Sequence, residues 1–290
     1  MTTLSPDIVQ RLRDLAHALV NPSAARIAVE PMRPSAGYWF GGGNMARAAD
    51  GTLYLTGRYR NAGDSRTGLD LGDRGKELAI FSSADDGATW TKVLSLDKKA
   101  VCRNLDVAAG GEEALSIEGS ALRFTGSGVE LYVSSEKALP YPEAVADYRK
   151  HGTGIWTIER FTAADVPGLA GADARTVLSC DNPETLHIKD PYLYQSRHGQ
   201  AYLFFCHHSF NWSSSSPGYV RPGDAGPAGP AVYGCYDHGH TWDVAITRGT
   251  CAVPVPSSVA PAGTGLVFYD GGESLRNLDE HSRAVRRPRG

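Results

Sequence analysis

The chain has no excess of charge, no long apolar run and no cysteine pattern, and each absence removes a class of protein. Its 32 acidic and 29 basic residues leave a net charge near −3, which offers no electrostatic footprint for nucleic acid or a membrane surface. No stretch of 18 apolar residues occurs, so no membrane-spanning helix is expected. The five cysteines, at 102, 180, 206, 235 and 251, are odd in number and contain no CxxC pair. Neither a disulfide framework nor a zinc site is expected. The first twenty residues lack the basic stretch and apolar run of a secretory leader, which makes a reducing cytoplasm the expected location. The run Gly41-Gly42-Gly43 lacks the Lys-Ser/Thr of a phosphate loop. No cofactor, metal, nucleic-acid or membrane partner is expected.

Glycine and proline are abundant instead, 33 and 17 residues, which suits an all-β chain with many turns. One helix is expected at the start. Ser5 can cap it, Pro6 suits its first turn, and Ile8, Leu12, Leu15 and Leu19 recur at helical spacing. Asn21-Pro22 ends it, and Ala25–Val29 reads as a short strand. Residues 1–30 are therefore taken as a helix and strand, and residues 31–290 as one domain.

That domain repeats. Gly41–Arg60, Ser116–Lys137, His187–His208 and, more weakly, Pro256–Glu273 share a polar strand start, a turn with glycine and an alternating strand. The tyrosines marking the second strand of each hairpin, Tyr54, Tyr132, Tyr202 and Tyr269, lie 78, 70 and 67 residues apart. A second pair of strands is expected in each repeat, at Glu77–Leu96, in GIWTIER with TVLSC, and at Ala231–Thr247. Two of these carry an S-x-D-x-G-x-T-W turn. The first is complete in Ser83, Asp85, Gly87, Thr89 and Trp90; the second has Asp237, Gly239, Thr241 and Trp242, with Cys235 in place of serine. In such a turn the carboxylate bonds backbone N–H groups and glycine supplies the positive φ. Hairpins at this period predict a β-propeller of four-stranded blades. Three repeats are complete and a fourth stops near Arg276, so the chain reads as a fragment of a longer propeller.

The innermost strand of a blade lines the central funnel, which points to Asn44, Glu118 and Asp190. Two acids converging on one pocket are the minimum for glycoside hydrolysis: one donates a proton to the leaving oxygen, the other acts ionised. The segment His187-Ile188-Lys189-Asp190-Pro191 resembles the R/K-D-P element of the arabinanase/β-xylosidase and invertase/levanase propellers. Ser116-Ile117-Glu118-Gly119-Ser120 is similar to their E-G-P or E-x-P element. This resemblance implies five blades, Glu118 as proton donor and Asp190 as the carboxylate that orients it and stabilises the transition state. The S-x-D-x-G-x-T-W turns resemble those of the sialidases. Two departures stand out: Gly-Gly-Gly-Asn44 occupies the place of an aspartate in blade one, and Glu118 precedes Asp190.

Other residues carry a functional and a plainer reading side by side. Arg58 and Arg60 can clamp an acidic sugar or merely end a strand; Lys189 adds a cation beside Asp190. His207 and His208 can bond sugar hydroxyls, and Trp39-Phe40 can stack under a sugar ring or pack between blades. Asp270 and Glu273 can supply a further acid or sit in a turn. The insertion 61–76 places Asp64, Arg66 and Asp70 at the rim. A glycoside hydrolase acting on a small carbohydrate substrate is the leading expectation. A polysaccharide lyase using His207, His208, Arg58 and Arg60, and a binding propeller without turnover, are the alternatives.

Overall fold

The structure, a computed structural model, describes residues 4–61, 74–105, 111–196, 198–223 and 229–273. It is mostly β, with one N-terminal helix. Helix α1 (Pro6–Leu19) begins as expected: Ser5 Oγ accepts from the Ile8 N–H at 3.4 Å, and Pro6 and Asp7 occupy the first turn. The strand expected over Ala25–Val29 is absent. Ile27 is 72% exposed, and only Val29 packs inward, against the Tyr59–Phe81 cluster. With Pro31 and Pro34 just beyond, there is too little alternating apolar surface to hold a strand against a sheet.

Fifteen strands follow among the described residues. The first sheet holds β1 (Trp39–Gly41), β2 (Met45–Arg47), β3 (Leu53–Arg60), β4 (Glu77–Ser83) and β5 (Thr91–Asp97), with β1 and β2 both paired to β3. The second holds β6 (Ser116–Thr125), β7 (Gly128–Lys137), β8 (Ile155–Ala163) and β9 (Arg175–Leu178) in sequential antiparallel order. The third begins with β10 (His187–Gln195), β11 (Ala201–His208), β12 (Ser215–Val220) and β13 (Val232–Tyr233). The hairpin of β14 (Ile246–Pro254) and β15 (Gly265–Gly272) joins it through one parallel pairing, Ser215 with Ile246. The described residues thus contain three four-stranded meanders, counting β1 and β2 as one interrupted strand, and a two-stranded hairpin. All four marker tyrosines fall in second strands: Tyr54 in β3, Tyr132 in β7, Tyr202 in β11 and Tyr269 in β15.

Apolar clusters fill the spaces between successive sheets. Leu78, Ile80, Leu94 and Leu96 of the first sheet meet Ile117, Leu131 and Phe161 of the second. Tyr132 and Ile158 of the second meet Ile188, Leu203 and Phe205 of the third. Face-to-face packing on both sides of the middle sheet leaves β6, β7 and β8 buried along nearly their whole length, polar residues such as Ser134, Lys137 and Glu159 included.

The two D-x-G-x-T-W turns differ. In the first, Asp85 accepts from the Thr89 N–H and hydroxyl at 2.9 and 2.6 Å, and Gly87 N–H donates to Ser83 Oγ at 2.8 Å. The Thr89 bonds, with that from Ser83, hold the Asp85 carboxyl down at about 2. The second is not a hairpin: β13 is two residues long and pairs only with β12. Cys235 replaces the serine with a weaker acceptor, Asp243 fills the space beside Gly239, and Trp242 lies 57% exposed, stacked on Tyr269.

Candidate functional site

The four inner strands share one irregularity. Gly42, Gly43 and Asn44 oppose only two residues of β3. Glu118 and Gly119 oppose Ser134 alone, Asp190 and Pro191 oppose Phe205 alone, and Thr250 in β14 is likewise one residue extra. A bulge of this kind bends a strand and re-aims its side chains. All three residues expected in the funnel, Asn44, Glu118 and Asp190, lie in such bulges.

The bulges touch. Ser120 N–H donates to the Gly42 carbonyl at 2.8 Å, and the Thr56 and Ser120 hydroxyls meet at 3.0 Å. Ser134 Oγ donates to the Gly119 carbonyl at 3.2 Å and accepts from the Asp190 N–H at 3.4 Å. A Cβ on Gly119 would lie 2.7 Å from Asp190 Cα. Asp190 itself has φ +51°, a left-handed conformation that an aspartate adopts at a cost and that marks functional sites. Glu118 and Asp190 are therefore neighbours, from strands 72 residues apart in sequence.

Glu118 is clasped by two cations. Arg58 Nη2 contacts its Oε1 at 2.9 Å, and Lys189 Nζ contacts its Oε2. Burial raises the Glu118 pKa, but Lys189, Arg58 and Arg60 outweigh it, and the carboxyl is held well below the usual carboxylate range. Two cations thus stabilise the ionised form of Glu118, the carboxyl for which the resemblance implies the role of proton donor. Asp190 Oδ2 accepts from the Cys206 thiol at 3.2 Å. Burial, then Asp190, keeps that thiol protonated.

Aromatic rings surround the charges. Lys189 Nζ lies 4.3 Å from the Trp156 ring and 5.4 Å from Trp212. Arg58 and Arg60 lie 4.8 and 5.8 Å from Trp39, whose indole is 39% exposed. His187, stacked on Trp212 at 4.3 Å and bonded to the Tyr141 hydroxyl at 3.0 Å, is held neutral by burial, with a pKa near 3.

Not every expected residue faces this site. Asn44 is taken up by the neighbouring sheet: its Nδ2 donates to the Leu122 carbonyl at 2.9 Å and its Oδ1 accepts from the Leu122 N–H at 2.7 Å. His207 and His208 point to opposite faces of β11, as consecutive strand residues must. The His208 ring lies 4.7 Å from Trp212, whereas His207 packs against Tyr233 at 5.1 Å. Burial holds both neutral, His207 at about 4. The histidine pair of the lyase reading is thus split across the sheet. Asp270 contacts Arg248 at 3.6 Å, and Glu273 is exposed just past β15. Asp64, Arg66 and Asp70 lie outside the described residues. Cavities of about 420 Å³, lined by Tyr194, Tyr202, Phe204 and Tyr219, and about 560 Å³, beside Cys102 and Arg103, include none of the charged group.

Sequence reasoning missed Arg248, Trp156, Trp212 and Ser134. Arg248 was hidden because β14 reads as the end of a hairpin, not as an inner strand. A second cation close to a bulge, two residues before Thr250 where Lys189 is one before Asp190, is the signal that identifies it.

No protein-family model matches the chain, and no curated protein matches it. Solved structures do. A GH43 beta-xylosidase/alpha-arabinofuranosidase from a compost microbial metagenome is 13% identical with a TM-score of 0.46, over 72% of this chain and 62% of that one. An alpha-L-arabinanase of Penicillium chrysogenum is 15% identical with a TM-score of 0.42, over 75% and 53%. A thermostable family-43 glycoside hydrolase is 11% identical with a TM-score of 0.48, over 84% and 67%. The chain spans about three fifths of the first of these. At these identities no residue's role transfers to this chain.

Proposed function

We propose that the protein is a glycoside hydrolase on a propeller-type scaffold, with Glu118 and Asp190 as its working carboxylates. The observation that carries the reading is the contact between the Gly119 and Asp190 bulges, which brings two acid-bearing strand starts together. Glycoside hydrolysis needs one ionised and one protonated carboxyl flanking the scissile bond. Glu118, clasped by Arg58 and Lys189, takes the ionised role, facing the positive charge that develops on the sugar ring. The proton for the leaving oxygen then comes from Asp190, the reverse of the assignment that the motif resemblance implies. Trp39 offers an exposed indole for the C–H face of a sugar.

The test is hydrolysis of a panel of aryl and alkyl glycosides, including pentosides, hexosides and uronides. Asp190→Asn is expected to lose alkyl glycosides but keep much of its rate on dinitrophenyl glycosides, whose leaving group needs no proton. Glu118→Gln is expected to lose both. Full turnover in both variants, or none by the native protein on any glycoside, overturns the reading. Pairing of Glu118 with two cations favours one alternative, a carbohydrate-binding surface without turnover. In that case Glu118→Gln changes affinity while no product forms with any variant.

A further inference from the structure

The cations around Glu118 and Asp190 are not equally engaged. Arg58 and Lys189 each make an ion pair with Glu118, and Arg60 lies over Trp39. Arg248 differs. It comes from β14, the inner strand of the last hairpin, two residues before the extra residue Thr250. Its strand packs against β10, where a Cβ on the next residue, Gly249, would run into the hydroxyl oxygen of Tyr192, two residues on from Asp190; the Arg248 charge acts on Asp190, Cys206, Asp270 and Glu118. Its one ion-pair contact among the described residues is a long one, Nη2 to Asp270 Oδ2 at 3.6 Å, and the Asp270 side chain is 64% exposed. The Arg248 Nε, like that of Arg58, is buried with no hydrogen-bond partner, but Arg58 has a short ion pair with Glu118 and Arg248 has none among the described residues.

A buried guanidinium N–H without a partner is costly, and such a group in a native fold calls for an acceptor that arrives from outside. The local balance agrees. Even with Glu118 and Asp190 both ionised, Arg58, Lys189 and Arg248 supply three positive charges against two, and the excess grows when Asp190 carries the proton it donates; Asp270 is largely in water. We infer that Arg248 is a substrate-binding residue and that the site takes a sugar bearing a carboxylate, a uronic acid residue, whose two oxygens meet the guanidinium fork. This rests on the reading of the site as one for carbohydrate and names the substrate class for it. A neutral sugar hydroxyl can accept one of these bonds, but it leaves the third positive charge uncompensated.

The experiment is calorimetric titration with methyl glucuronide and methyl galacturonide against methyl glucoside and methyl galactoside. At low salt at least one uronide is expected to bind about tenfold more tightly than its neutral parent, the scale of one charge-assisted contact. That preference should shrink as salt rises, since the site is partly open to solvent. Arg248→Met is expected to bring the ratio close to one. Arg248→Lys, which keeps charge and bulk but loses the fork, should retain only part of it and serves if the methionine variant melts early. Equal binding of uronide and neutral parent, absence of uronide binding, or a preference that survives both substitutions overturns the inference. The two proposals fail separately. Turnover of neutral glycosides without uronide preference sinks this one and leaves the hydrolase standing; Arg248-dependent uronide binding without turnover does the opposite.

Discussion

Gly119 lies directly against Asp190: a Cβ at position 119 would stand 2.7 Å from the Asp190 Cα and 3.0 Å from its Oδ1. The absence of a side chain on one strand is what lets the carboxylate-bearing bulge of the next approach Glu118. Gly119→Ala should therefore displace Asp190 and destabilise the fold by about 1–3 kcal/mol, as overpacking does. Denaturant melts and turnover of an activated glycoside would check it; an alanine variant with native stability and rate shows that the approach of the bulges is unimportant.

Lys189 supports the ionised form of Glu118, so its removal has a predictable sign. The folded-state pKa of Glu118 is depressed. Its contribution to stability is present above the unfolded value, about 4.3, and fades as pH falls below it toward the folded value. Lys189→Met raises the folded pKa, so the acidic limb of the pH–rate profile should move to higher pH and acid unfolding should begin earlier. An unchanged acidic limb means that the Glu118 charge does not govern the reaction.

Asn44 ties the first sheet to the second through both hydrogen bonds to Leu122. Asn44→Ala leaves that backbone pair unmet and should cost about 1–3 kcal/mol, read as a lower denaturation midpoint with KM unaltered. The opposite pattern, native stability with a raised KM, restores the substrate-binding role that the sequence suggested.

Lys137 and Glu159 form a fully buried ion pair in the second sheet, with Thr157 Oγ1 donating to Glu159 at 2.6 Å. Breaking it by Lys137→Met leaves a buried carboxylate with hydroxyl partners but no counterion and should cost about 3–5 kcal/mol. Adding Glu159→Gln should recover much of that loss. Equal stability of the single and double variants shows the pair to be uncoupled.

Much of the architecture was legible because its causes are local. The tyrosines at 54, 132, 202 and 269 marked second strands correctly, since alternation along a hairpin involves only neighbouring residues. The same holds for the Ser83–Trp90 turn, where every bond spans four residues or fewer. Ala25–Val29 and the Cys235–Trp242 turn show the limit: their local patterns are plausible, but the strand expected of the first and the hairpin expected around the second do not form, because pairing depends on residues distant in sequence.

What the amino-acid order determined unaided was most of the hairpin strands, the repeat and the acids at the strand starts, because short-range sterics and polarity decide those. Only the packing of the sheets decided which charges surround each acid. Arg58 and Lys189 reach Glu118 from 60 and 71 residues away; Asn44 turned from ligand candidate to sheet clamp; Arg248 entered from a strand no pattern marked. A carboxyl's ionisation answers to the charges and solvent around it, and those neighbours exist only once distant segments have packed together.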